Sequence, residues 1–114
     1  MLESRIIKDV NVVRLEGTDK LTSYTAEEVK SGLLEFYSRP GTRLVFDLDG
    51  IHYIDSSGFS LLLNALKEAD NHHGTLKICN AGTEVMQLFS LLQLHHVFEI
   101  YTNLDECLES FTNT

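Results

Sequence analysis

Short strand-like segments alternate with helix-like segments along this chain, and the alternation restricts the folds that it can adopt. β-Branched runs at residues 5–8 and Val10–Leu15 predict two initial strands, and further apolar runs predict strands at 44–48, 75–79 and 97–101. Helical patterns lie before, between and after these three later strands, so the predicted order is β-β-α-β-α-β-α-β-α. This order favours an α/β fold with a mostly parallel central sheet, because helical crossovers join parallel strands.

The composition fits one acidic domain that spans residues 1–114. The chain has 17 Asp and Glu residues against 9 Lys and Arg residues, which gives a formal net charge of −8. This balance disfavours nucleic acids and anionic membranes as partners, since both attract clustered basic side chains. No segment has the length of a transmembrane helix and no signal-peptide pattern is found, so we expect a cytoplasmic protein without direct membrane insertion. We expect a monomer or a weak dimer.

Residue patterns for catalysis, cofactors or metals are missing from the sequence. It contains no P-loop, no dinucleotide-binding fingerprint and no hydrolase nucleophile elbow. Cys79 and Cys107 are too far apart for a paired-cysteine metal site, and we expect both to be buried thiols. A phosphoacceptor aspartate among Asp47, Asp49 and Asp55 is an alternative. However, the acidic pair and the lysine that usually accompany such an aspartate cannot be placed in this sequence. The chain is therefore predicted to be no enzyme, with no cofactor and no metal.

Two of the predicted helices carry signals for their ends and faces. Thr25 and Glu28 form a potential capping box at the start of the first helix. Residues 58–73 predict the second helix, and Gly74 is expected to end it in the left-handed conformation. Its apolar stripe has five members: Phe59, Leu62, Leu63, Leu66 and Ala69. Leu61 and Ala65 fall outside this stripe, so they are candidates for contact with a partner or, alternatively, for the edge of the core.

The segment 53–59, with the sequence YIDSSGF, is unusual for a helix start. One Asp or Ser would suffice as a cap, but here Asp55, Ser56 and Ser57 are followed by Gly58. A helix N-terminus with bare N–H groups and two hydroxyls is a place where a phosphate is tolerated. The segment therefore indicates a phosphorylation site, with an ordinary helix cap as the alternative.

Asp55-Ser56-Ser57-Gly58, preceded by the apolar strand 44–48 and followed by a leucine-rich helix, resembles the signature of STAS domains. The most similar members are bacterial anti-sigma factor antagonists, and residues 13–17, 25–27 and 81–92 extend the resemblance over nearly the whole chain. It implies a STAS-like α/β domain. The loop 17–23 is longer than the Gly-x-Leu-Asp turn of that family, and Asp19 and Thr22 are candidates for the position of its aspartate.

The resemblance implies a protein switch that phosphorylation controls. The unphosphorylated chain would bind an anti-sigma factor that is also a serine kinase and so release a sigma factor, and a PP2C-type phosphatase would reverse the modification. Ser56 is the implied phosphoacceptor, with Ser57 as the alternative. The implied partner surface consists of Asp55, Ser56, Ser57, Gly58, Phe59, Leu61, Ala65, Asp19 and Thr22. Gly58 would let the kinase backbone approach. A scaffold or accessory subunit of a stress-signalling or transport complex is the alternative function.

Overall fold

The computed structural model describes residues 1–112, which form an α/β domain around a central sheet. In chain order the elements are β1 (Leu2–Ile7), β2 (Val10–Leu15), β3 (Lys20–Leu21), α1 (Ser23–Phe36), β4 (Arg43–Asp47), β5 (Tyr53–Ile54), α2 (Ser56–Asn71), β6 (Thr75–Cys79), α3 (Thr83–Leu91), a 3₁₀ turn (Leu94–His96), β7 (Glu99–Tyr101) and α4 (Leu104–Ser110). The predicted order is confirmed, and the two-residue strands β3 and β5 are additions to it. Within residues 1–112, no helix is both long enough and apolar enough to cross a membrane.

The central sheet has five strands in the order β1-β2-β4-β6-β7. Strand β1 is antiparallel to β2, and every other pair in this sheet is parallel, so the prediction of a mostly parallel sheet is confirmed. Lys8 and Asp9 join the first two strands with φ values of 51° and 66°, the left-handed conformation that tight hairpin turns require. Strands β3 and β5 pair in parallel as a separate small sheet beside the first turn of α2.

The central sheet is covered by apolar side chains on both faces. Because side chains alternate along a strand, Leu44 and Phe46 of β4 enter one core with α1, α2 and α3, whereas Val45 enters a second core with α4. This arrangement agrees with the apolar run predicted at 44–48. Cys79 and Cys107 are both buried in the second core, as expected.

The first helix begins earlier than its predicted capping box. Thr22 is the N-cap of α1, and its backbone N–H donates to the hydroxyl of Thr25 at 3.2 Å. The prediction that Thr25 caps the helix with Glu28 is therefore wrong. Thr25 is instead the third residue of the helix, and its hydroxyl accepts the hydrogen bond from the N-cap backbone N–H. A Glu or Gln side chain has this role in the usual capping box.

The second helix also differs from its prediction at both ends. Helix α2 starts at Ser56 rather than at Gly58, and it is followed by His72 as the C-cap and by His73, which has a φ of 58°. The left-handed residue is therefore His73 and not Gly74. Gly74 is needed for another reason, because a Cβ atom there would lie 2.6 Å from the carbonyl oxygen of Thr42.

Candidate functional site

The start of α2 is built around the carboxylate of Asp55. Asp55 has extended backbone geometry as the N-cap, and its Oδ1 accepts a hydrogen bond from the backbone N–H of Gly58 at 3.0 Å. Ser56 and Ser57 are then the first two helical residues, where backbone N–H groups lack partners within the helix. The side chain of Ser56 is exposed and that of Ser57 is half-buried. A reagent from solution therefore reaches Ser56 more readily.

The same carboxylate also binds the start of α1. Oδ2 of Asp55 accepts a hydrogen bond from the backbone N–H of Ser23, the first residue of α1, at 3.3 Å. The backbone N–H of Asp55 donates to the carbonyl oxygen of Leu21 at 3.2 Å. Two helix N-termini, each with a partial positive charge, therefore meet at one acidic side chain.

A polar groove of about 370 Å³ lies on the surface where α1 and α2 meet, beside this point. Its walls are formed by Ser23, Ala26, Glu27, Lys30, Ser56, Ser57, Ser60, Leu61 and Asn64. The groove brings the hydroxyl groups of Ser56, Ser57 and Ser60 to one surface, and it contains one acidic and one basic side chain. This composition suits contact with a polar protein segment better than enclosure of an apolar ligand.

Gly58 has a structural role that the sequence did not indicate. It is buried, and a Cβ atom at this position would lie 2.5 Å from the carbonyl oxygen of Leu21 and 2.7 Å from Cγ2 of Ile54. The missing side chain allows the small sheet of β3 and β5 to pack against the first turn of α2. The implied role, in which Gly58 gives a partner's backbone room to approach, does not fit this buried position.

The prediction that Leu61 and Ala65 lie on an exposed face of α2 is wrong, and the alternative that they lie at the edge of the core is confirmed. Leu61 is 3% exposed and Ala65 is 2% exposed, while Leu63, predicted to face the core, is 39% exposed. The physical reason is that α2 packs against α1 as well as against the sheet, so its buried face is wider and rotated relative to the predicted stripe. Leu61 forms part of the groove wall, and Phe59 lies inside the core against Phe89, with ring centroids 5.2 Å apart.

The loop that contains Asp19 and Thr22 lies next to the motif. The carbonyl oxygen of Asp19 accepts a hydrogen bond from the backbone N–H of His52 at 2.7 Å, and Lys20 pairs with Tyr53 in the small sheet. The side chain of Asp19 is exposed, whereas Thr22 is half-buried as the cap of α1. Asp19 is therefore free to contact a partner, and Thr22 contributes mainly by holding the start of α1.

The three aspartates near the end of β4 do not form one acidic cluster. The carboxylate of Asp47 is buried, and its Oδ1 accepts hydrogen bonds from the backbone N–H of Asp49 at 2.9 Å and from Asn80 at 3.1 Å. Asp55 is engaged separately with the two helix starts. Among the described residues, no group of three or more His, Cys, Asp or Glu side chains is placed to hold a metal ion.

Tyr24 and Lys30 near the site were missed from the sequence. Tyr24 directly follows Ser23, and its side chain is 97% exposed. The predicted start of the first helix at residue 25 left Tyr24 in a loop, where an aromatic residue carries no positional signal. Lys30 lies one helical turn after Ala26, on the groove side of α1. Lys30 borders the groove only because of how α1 packs against α2, and hydrophobic periodicity alone does not predict that packing.

A comparison with protein families decides where this fold and site belong. The model of the STAS domain matches residues 1–107, almost the whole chain. The chain belongs to the STAS domain family. The α/β fold with its mixed sheet and helices is thus that of a STAS domain, and the resemblance seen in the sequence is confirmed.

This STAS domain is similar to several curated and solved proteins. It is 25% identical over 93 residues to the anti-sigma-B factor antagonist of Listeria monocytogenes, with 82% of each chain covered. It is 27% identical over 97 residues to the anti-sigma F factor antagonist of Paenibacillus polymyxa, covering 84% of this chain and 81% of the relative. The solved anti-sigma-factor antagonist (STAS) domain protein of Planctomyces limnophilus shares the fold with a TM-score of 0.90 at 18% identity, and 98% of each chain is covered.

Proposed function

We propose that this STAS domain is an anti-sigma factor antagonist that acts in the cytoplasm by binding and not by catalysis. In its unphosphorylated form it binds an anti-sigma factor, which then releases its sigma factor. The names of the two curated relatives support this function, since both are antagonists of anti-sigma factors and both align over more than four fifths of this chain. Phosphorylation of Ser56 by the anti-sigma factor, acting as a serine kinase, ends the interaction, and a PP2C-type phosphatase restores it.

The exposed position of Ser56 at the first residue of α2 is the observation that carries this proposal. Its side chain is open to solvent at the groove between α1 and α2, next to the N-cap Asp55. Ser57 is half-buried, so a kinase would have to displace neighbouring groups to reach it. Access therefore favours Ser56 over Ser57 as the phosphoacceptor.

A phosphate on Ser56 would act mainly through its charge. It adds about −1.5 to −2 charges at pH 7, and the nearby helix N-terminus favours a negative charge by about 0.3–1 kcal/mol at an exposed site. The fold should therefore accept the modification. At an interface, however, the phosphate would have to lose water next to Asp55 and Glu27. A loss of roughly 3 kcal/mol would weaken binding about a hundredfold.

The side chains around Ser56 define the surface that would bind the anti-sigma factor. Leu63 and Asn64 are exposed on α2, and Tyr24 stands out from the start of α1. Tyrosine is enriched among the residues that dominate binding energy, because it buries a large area at a small entropic cost. Asp19 extends the same region along the loop before α1. These residues replace Leu61 and Ala65 as the proposed points of contact.

Phosphorylation with the cognate anti-sigma factor and ATP tests the proposal. We expect one added phosphate, which tandem mass spectrometry would assign to Ser56. Ser56→Ala should abolish the modification and keep binding, while Ser57→Ala should still be phosphorylated. Ser56→Asp should weaken binding only in part, because Asp carries one charge and fewer acceptor oxygens than phosphoserine.

Binding measurements on the unmodified and phosphorylated proteins complete this test. Isothermal titration should give tight binding before the reaction and a large loss of affinity after it. Phosphate on Ser57 or Ser60 would contradict the site assignment. Unchanged affinity after complete phosphorylation of Ser56 would contradict the switch and favour a scaffold function. Amide chemical-shift changes confined to the loop 17–23 and the first turn of α2 would support the charge mechanism, and changes across the sheet would contradict it.

A further inference from the structure

Cys79 and Cys107 are far apart in the sequence, yet the fold brings them together in the second core. Cys79 is the last residue of β6, and Cys107 lies on α4, which packs on that strand. Both side chains are fully buried, and both are free thiols. The proposed function uses neither of them, since the groove at Ser56 is bordered by α1 and α2, which cover the other face of the sheet.

The two thiols are close enough to hydrogen-bond, and their surroundings make them chemically unequal. Hydrogen bonding with Cys79 lowers the pKa of Cys107, and the nearby ammonium of Lys77 lowers it as well. Hydrogen bonding with Cys107 raises the pKa of Cys79, and burial and the charge of Asp47 act in the same direction. Because the thiolate is the reactive form of cysteine, Cys107 is the better nucleophile of the two.

Helix α4 controls access to this pair of thiols. Among the helices within residues 1–112, only α4 supplies side chains to the second core. It has seven residues, and a helix this short is held in place by its packing rather than by its own hydrogen bonds. Lys77 restrains it, because the ammonium donates to the hydroxyl of Ser110 at 2.8 Å and lies 4.2 Å from the ring centroid of Phe111. Local opening of α4 would therefore expose both thiols to a small solute.

We propose that Cys79 and Cys107 are a redox-sensitive pair, which a peroxide oxidises to a disulfide between β6 and α4. The thiolate of Cys107 attacks one oxygen of hydrogen peroxide, the O–O bond breaks, and the departing hydroxide takes up the proton that this thiol released. The sulfur of Cys79 then attacks the sulfenic acid on Cys107, so that an S–S bond forms and the S–O bond breaks. The hydroxyl group leaves with the proton of Cys79 as a second water.

The electrons of this reaction balance, because the two sulfur atoms lose two electrons and one peroxide is reduced to two molecules of water. The disulfide fixes α4 to β6, and it leaves the groove at Ser56 open because that groove lies on the other face of the sheet. This inference does not depend on the proposed function.

Treatment of the folded protein with hydrogen peroxide tests the pair. We expect the intact mass to fall by two hydrogen atoms, an unreduced peptide map to join Cys79 to Cys107, and dithiothreitol to reverse both changes. The disulfide should slow amide hydrogen exchange in α4 at least about tenfold and raise the melting temperature by about 10 °C. A protein that keeps both thiols, or that forms the bond only after unfolding in urea, overturns the proposal.

Alanine variants assign the roles of the two sulfur atoms. Cys79→Ala cannot form the disulfide, so sulfenic acid should accumulate on Cys107 and be trapped by dimedone. Cys107→Ala should be labelled at least about tenfold more slowly, since burial and Asp47 still raise the pKa of Cys79. Equal labelling of the two variants, or faster labelling of Cys79, would contradict the nucleophilic role of Cys107.

Ser110→Ala tests entry through α4. It removes the hydrogen bond from Lys77, which restrains the helix, so oxidation should be about tenfold faster. The matched control is Thr112→Ala, which removes a nearby hydroxyl that donates only to the carbonyl oxygen of Glu109, at 2.8 Å, and it should be oxidised at the wild-type rate. Equal rates in the two variants would contradict access through the opening of α4.

Discussion

Asp55 and Ser23 are 32 residues apart in sequence, yet the Oδ2 atom of Asp55 accepts a hydrogen bond from the backbone N–H of Ser23 at 3.3 Å. Because Oδ1 caps α2 through Gly58, one side chain fixes the starts of both helices that border the groove. Ser56 follows Asp55 directly. The position of the proposed phosphoacceptor is therefore coupled to the position of α1, which carries Tyr24 and Lys30.

Substitution of Asp55 tests this double cap. Asp55→Ala removes both acceptors and should lower the free energy of unfolding by about 0.5–2 kcal/mol. Asp55→Ser retains one oxygen, which can still cap α2 but cannot also reach Ser23. Amide hydrogen exchange should therefore speed up at Gly58 and Ser23 in the alanine variant, and at Ser23 alone in the serine variant. Unchanged protection of Ser23 in both variants would show that its bond to Asp55 contributes nothing.

The two leucines Leu61 and Leu63 test which face of α2 is available to a partner. Leu61→Ala should destabilise the fold by about 2–5 kcal/mol, because it removes a buried side chain between α1 and α2. Leu63→Ala should change the free energy of unfolding by no more than about 0.5 kcal/mol, yet it should weaken binding to the anti-sigma factor. Chemical denaturation and isothermal titration on both variants measure these effects. The reverse outcome, with Leu63 the more destabilising, would contradict the packing described for α2.

Gly58→Ala tests the contact between the small sheet and α2. Alanine is favoured over glycine inside a helix by about 1 kcal/mol, but a Cβ atom 2.5 Å from the Leu21 carbonyl oxygen must displace backbone. We expect a net destabilisation of roughly 1–3 kcal/mol. Gly82→Ala is the control, since a Cβ atom there meets open space, and it should cost less than about 1 kcal/mol. Equal melting temperatures for the two variants would mean that the site tolerates a side chain.

The stability of the protein should fall at alkaline pH because of Tyr37. Burial, followed by the negative charge of Asp70, raises the pKa of Tyr37 above its usual value of 10.0, and its hydroxyl donates to the Thr75 carbonyl oxygen at 3.0 Å. Below that value both the folded and the unfolded chain keep the proton. Above it the unfolded chain loses the proton first, so the free energy of unfolding decreases as the pH rises.

Urea denaturation at pH 8 and at about pH 11 measures this dependence. Tyr37→Phe should cost about 0.5–1.5 kcal/mol at pH 8 through the lost hydrogen bond, and it should reduce the alkaline decline. Tyr24→Phe serves as the control because Tyr24 is exposed, and its alkaline decline should match that of the wild type. A Tyr37→Phe variant with the full decline would assign the effect to other groups.

The sequence by itself determined the order of the elements and the chemistry at the start of α2. The run Leu44 to Phe46 could be assigned to a central strand because apolar side chains at every position need cover on both faces, and both cores are present. Likewise, Asp55 before two serines and a glycine marked a helix start, since capping is a local interaction between near neighbours. Hydrophobic periodicity and helix caps both depend on residues that are close together in the sequence, so they can be recognised without the structure.

Only the tertiary structure decided which face of α2 is buried and which residues surround Ser56. Periodicity gives the apolar arc of a helix, but α2 packs against both the sheet and α1, so Leu61 is buried and Leu63 is exposed. The bond between Asp55 and Ser23 depends on strands β3 and β5, which have two residues each and therefore no detectable alternation. Contacts between distant residues follow from packing that no local pattern specifies, and for that reason the groove could be described only from the folded chain.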